Sequence, residues 1–92
     1  MTRSWSVQEI RPEARLLFAL LDATDCEGLI SGTFFQSRWQ TLKMRVDSGA
    51  SYEGESEEFY ELMVEIENSG ALSGSWIEGR WLAVKARIRG GS

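Results

Sequence analysis

The sequence predicts an α+β domain in which three helices pack on a small three-stranded antiparallel sheet ending in a C-terminal β-hairpin. Three observations lead there. Apolar residues recur at helical spacing in three successive segments between residues 12 and 68. Two extended runs, 71–77 and 80–89, follow them and meet at Glu78-Gly79, a two-residue connection whose glycine permits a tight turn. The second run alternates, with Leu82, Val84, Ala86 and Ile88 on one side and Trp81, Ala83, Lys85, Arg87 and Arg89 on the other, as a strand with one buried face must.

The elements follow in order. The first helix opens with Pro12 in its first turn and stops before Gly28, the positions each residue favours. Leu16, Leu17, Leu20, Leu21 and Thr24 form its inward stripe, Phe18 and Ala19 widen the apolar arc, and Glu13, Arg15 and Asp22 decorate the rest. The glycine-bounded pair Leu29-Ile30 suits a brief edge strand. Ser31 or Thr33 then caps a second helix, with Phe35, Trp39, Leu42 and Val46 inward and Arg38 and Arg45 on an exposed stripe. The turn-rich stretch 47–54 is a loop. Ser56 starts the third helix, Glu57 and Glu58 complement its dipole, and Ser69-Gly70 stops it. Phe59, Leu62, Met63 and Ile66 are its buried stripe, while Glu57, Glu58, Glu61, Glu65 and Glu67 occupy the other faces. In the hairpin, a two-residue turn sets Trp76 opposite Trp81 on the outer face.

With 92 residues, 42% of them apolar and 26% charged, the chain accommodates one domain. Residues 12–89 form it, 1–11 are an N-terminal arm, and Gly90-Gly91-Ser92 is a flexible tail. The absence of His and the single Cys26 remove imidazole bases, structural zinc and intrachain disulfides, so no enzyme activity, metal or cofactor is expected. Ten basic against fourteen acidic residues give a net charge of −4, which disfavours a general phosphate-binding surface and shifts attention to how the charges are distributed. The apolar run 16–23 is far shorter than a membrane span. Met1 to Ser6 has no signal-peptide character, so an intracellular site, cytoplasmic or nuclear/nucleoid, is expected.

Helix, short strand, two helices and a twisted hairpin is the order of a winged helix. Three stretches then carry a family resemblance: the apolar first helix Leu16-Leu17-Phe18-Ala19-Leu20-Leu21, the helix entry Ser31-Gly32-Thr33-Phe34-Phe35, and the passage from Phe59 through Ser69-Gly70-Ala71-Leu72 into the wing. Over residues 12–89 the chain resembles the C-terminal winged-helix domain of the archaeal and eukaryotic replication-initiator ATPases, the origin-recognition and cell-division-cycle family. That resemblance implies contact with origin DNA and initiator assembly. Such a domain is normally attached to an ATPase, of which these residues show no Gly-rich phosphate loop; the departure from the pattern is that the helix before the hairpin carries five glutamates where a major-groove reader needs basic or amide side chains.

The candidate nucleic-acid surface is therefore the wing: Arg80, Lys85, Arg87 and Arg89 interleaved with Trp76 and Trp81, and extended by Arg38, Lys43 and Arg45. Such a set can hold a DNA backbone electrostatically and wedge or stack against bases in the minor groove. The same cations also solvate and protect an edge strand, and the two indoles also serve as core. Arg3, Trp5, Arg11 and Arg15 form a second basic-aromatic cluster at the start of the chain. The alternative function is a winged-helix protein-interaction module, with Glu57, Glu58, Glu61 and Glu65 or the Trp hairpin docking a partner. Cys26, beside Asp25 and Glu27, reads as a packing residue.

Overall fold

The computed structural model describes residues 10–89, with the Arg89 side chain outside the description. Four helices make up the domain: α1 (Ala14–Cys26), α2 (Thr33–Asp47), α3 (Ser56–Asn68) and α4 (Trp76–Arg89). Single 3₁₀ turns, Arg11–Glu13 and Glu53–Glu55, lead into α1 and α3. Among the described residues there is no strand. The α+β winged helix, its three-stranded sheet and its C-terminal hairpin wing are therefore replaced by an all-helical domain.

The first three helices arise as their patterns dictate. α1 buries Leu17, Leu20, Leu21 and Thr24, and the Thr24 hydroxyl donates back to the Leu20 carbonyl at 2.6 Å. Its last turn closes through Gly28, at φ 76°, with the Leu29 amide donating to the Thr24 carbonyl at 3.0 Å, a left-handed stop that disfavours any residue with a Cβ. α2 buries Trp39 and Leu42, and Phe35 and Val46 pack at the edge of the core. Neither Ser31 nor Thr33 caps it; Gly32 occupies the cap position with no side-chain hydrogen bond. α3 buries Phe59, Leu62, Met63 and Ile66 completely. Its Ser56 hydroxyl donates to the Glu53 carbonyl at 2.7 Å instead of accepting an amide.

The correction lies at both predicted strand regions. Leu29-Ile30 pairs with no strand; Ile30 is a core plug, and its carbonyl accepts from the Gln36 amide group at 3.3 Å. Residues 71–75 are turns that bury Leu72, and residues 76–89 are one helix. Two local facts favour that helix. The Ser75 hydroxyl accepts the Glu78 amide at 3.3 Å while the Glu78 carboxylate accepts the Gly74 amide at 3.2 Å, a reciprocal arrangement that satisfies orphan donors at a helix start. Ile77, Trp81, Val84 and Ile88, spaced 4, 3 and 4, are all buried and cover the core as one helical face.

Val84 and Ile88 fit a strand and a helix equally well, because four residues is a multiple of one period and close to the other. The deciding positions are those only one period buries. Leu82 and Ala86, inward in a strand, are exposed, whereas Ile77 and Trp81 are fully buried. Trp76 and Trp81 are therefore not a cross-strand pair: one indole faces solvent and the other sits in the core.

α1 is the central helix, packed against both α3 and α4, while α2 packs on α3. Phe18 joins three elements, its ring 5.1 Å from Trp39, 5.2 Å from Tyr52 and 5.5 Å from Phe59, separations typical of favourable edge and tilted aromatic contacts. Tyr60 and Trp81, 5.5 Å apart, tie α3 to α4. Arg87 near the end of α4 reaches Glu13 just before α1 at 3.3 Å, so α1 and α4 run antiparallel. No helix among the described residues is long and apolar enough to cross a membrane.

Candidate functional site

Five of the cations expected to hold DNA lie beside carboxylates from other elements. Arg38 meets Glu65 at 2.6 Å, Arg45 meets Glu55 at 3.1 Å, and Lys43 stands 3.7 Å from Asp25. Lys85 lies 2.8 Å from each Glu67 oxygen, and Arg87 is paired with Glu13. Three of these pairs join different helices, because α2 and α4 flank the acidic α3 and α1. Most are at least partly open to water, where a pair contributes about 0–1 kcal/mol. Lys85–Glu67 is the most enclosed, with the two side chains 16% and 24% exposed.

Helical geometry thus disperses the predicted basic stripe. Arg80 and Arg87 share a face with Trp76, whereas Lys85 turns to α3 and lies 5.5 Å over the buried Trp81 ring. Arg89 closes α4, and its side chain lies outside the described residues, as do Arg3 and Trp5 of the arm. Arg11 is exposed in the 3₁₀ turn, and Arg15 lies 4.8 Å over the Tyr52 ring.

The acidic face of α3 is likewise divided. Glu65 serves Arg38, and Glu58 lines a shallow recess with Ser37, Arg38, Thr41 and Arg45 on α2. Glu57 and Glu61 are half-buried. Among the described residues no group of three or more acidic or cysteine side chains is disposed to hold a metal ion. Cys26 is exposed, not a packing residue.

An apolar concavity lies elsewhere, between α1 and α4. It encloses about 220 Å³ and is lined by Leu16, Ala19, Leu20 and Ala23 from α1 and by Trp76, Arg80, Ala83 and Val84 from α4. The buried Leu20 and Val84 form its base, and the more exposed Ala19, Ala23 and Ala83 leave it open because their short side chains rise little above the helix surfaces. Leu16, 43% exposed, and Trp76, 52% exposed, stand at its rim. The Arg80 guanidinium stacks 5.0 Å over the Trp76 ring, which holds both side chains in an open but ordered position. Arg80 forms no ion pair with a described carboxylate, unlike the five cations above.

Of this groove, Trp76 and Arg80 were singled out in the sequence. The apolar pattern assigns Leu16 to the core and Ala19 to the apolar arc of the first helix, and gives Ala23 and Ala83 no functional reading. The available signal was the width of the α1 apolar arc, from Leu16 through Ala23, which exceeds what its helical neighbours cover. Compared with family models, curated proteins and solved structures, the chain matches none.

Proposed function

We propose that the chain acts by binding, as a non-enzymatic protein-interaction module whose working surface is the α1/α4 groove. The observation that carries this reading is the open Trp76–Arg80 stack beside an apolar recess lined by Leu16, Leu20, Val84 and three alanines. Large apolar side chains usually go inward in a domain this small, and an aromatic-arginine pair beside an apolar recess is the composition of interface anchors. The groove fits an amphipathic helix, which would lay its apolar face into the furrow. The ion pairing of Arg38, Lys43, Arg45, Lys85 and Arg87 supports a protein partner over DNA, since each cation would have to leave a carboxylate to meet a phosphate. The nucleic-acid reading has one observation in its favour, the exposed arginine-tryptophan stack, which could also serve a base.

One titration decides between them. The isotope-labelled protein is mixed with an amphipathic helix-forming peptide and, separately, with short duplex DNA at low and moderate salt, and amide shifts are mapped. The proposal expects peptide-induced shifts along residues 16–23 and 76–84. Shifts caused by DNA alone, weakening steeply with salt and reduced by Lys85→Ala with Arg87→Ala, would transfer the function to nucleic-acid binding.

A further inference from the structure

The groove has a length, a floor and a charge, and together these select a partner. From Leu16 to Ala23 it runs seven residues along α1, about 11 Å at the helical rise, or two turns. A strip that long and one helix wide offers on the order of 100–200 Å², well short of the roughly 800 Å² per partner of a stable protein dimer. A second copy of this chain is thus a poor occupant, whereas a short helix that inserts one or two anchors is matched in scale. A cavity on the order of 150 Å³ accepts a benzene-sized group, so about 220 Å³ accommodates an aliphatic or aromatic knob between Leu16 and Trp76.

Charge fixes the sign. On α4 the positions facing the groove side are Trp76, Arg80, Ala83 and Arg87, spaced 4, 3 and 4. Arg87 is engaged by Glu13 at one end, and Arg80 stands midway without a described carboxylate. A carboxylate arriving there finds a guanidinium that the Trp76 ring already orients and whose N–H groups donate to it side-on. Arg15 turns to the Tyr52 ring, and Arg80 is the charged side chain among the described residues that line the groove, so Arg80 sets the preference.

Resting on the reading of this groove as a docking site, we infer that its partner is an acidic amphipathic helix of two to three turns. Its apolar side packs on Ala19, Ala23 and Ala83, and one of its glutamates or aspartates pairs with Arg80.

Three peptides of about 18 residues, long enough to hold helix in isolation, share one leucine stripe and differ only in carrying Glu, Gln or Lys on the flanks. Each is titrated into the wild-type protein and into Arg80→Glu, with groove amide shifts and peptide fluorescence anisotropy as readouts. The acidic peptide is expected to bind wild type about twofold to fivefold more tightly than the neutral one, as one rim charge pair supplies. Arg80→Glu should reverse the order and favour the lysine peptide. Equal groove binding by all three would overturn the acidic inference and leave the docking site standing. If none of the three shifted the groove, or if the free protein sedimented as a dimer with the groove covered, the docking site itself would fall.

Discussion

Replacing Gly79 by Ala tests the helical C-terminal segment by the sign of its effect. Gly79 lies in the first turns of α4 with ordinary helical backbone, and a Cβ built there meets no atom within 4 Å. In a helix, Ala in place of Gly is favoured by about 0.5–1 kcal/mol because the unfolded chain loses conformational freedom and the helix gains propensity. Unfolding entropy of about 2.1 cal/mol/K per residue over the 92-residue chain comes to roughly 0.19 kcal/mol/K. The melting temperature should therefore rise by about 3–5 °C, less if fraying of the first turn dilutes the gain. Gly70 supplies the internal control: its Cβ site is equally open, but its φ is 86°. Gly70→Ala should lower the melting temperature by about 5 °C, from a left-handed cost of roughly 1–2 kcal/mol partly offset in the unfolded state. Scanning calorimetry or circular dichroism reads both. A fall for Gly79→Ala would refute the reasoning, since it would point to a glycine held at positive φ, as in a hairpin turn, and not to one inside a helix.

Trp81→Phe should cost less than the about 3–5 kcal/mol of a buried Trp→Ala change, because the Trp81 indole N–H is buried without an acceptor and its removal relieves a desolvated donor; urea midpoints measure it. Trp76→Ala should change stability by under about 0.5 kcal/mol, as exposed positions do, and abolish the amide shifts that an amphipathic peptide induces in the groove. Ser75→Ala should lose about 0.5 kcal/mol, because it removes the hydroxyl acceptor while the Glu78 amide keeps its bond to the Ser75 carbonyl at 3.2 Å, read by thermal unfolding. In a double-mutant cycle, Lys85→Met with Glu67→Gln should show coupling of about 1 kcal/mol that shrinks as salt rises, whereas Arg45 and Glu55, with Arg45 half exposed, should couple less.

The helices of residues 14–68 were legible because their apolar spacings fit one period only. In α3, Phe59, Leu62, Met63 and Ile66 have no strand reading, and all four are buried. The C-terminal segment was misread because Val84 and Ile88 serve both periods, and Gly79 suggested a turn where the structure has a helix. The Ser75-x-x-Glu78 start signal and the Ile77-Trp81 spacing were present in the sequence and pointed the other way. Once that segment is helical, the functional surface changes with it. Alternation no longer collects Lys85, Arg87 and Trp81 on one side; Lys85 turns to Glu67 and Trp81 turns inward. Ion pairs such as Arg38–Glu65 depend on which helices become neighbours, and no local pattern encodes that. The groove was hidden for the same reason, since Leu16 looks like core until the packing of α4 leaves it at a rim.

Backbone chemical shifts over residues 75–89 put the account to its most direct test. A continuous run of helical Cα shifts, with sequential amide contacts and contacts from the Trp81 ring to Tyr60, is the predicted outcome. Strand-type shifts on either side of Glu78-Gly79, with cross-strand contacts between Trp76 and Trp81, would contradict it and remove the groove along with the helix that forms its wall.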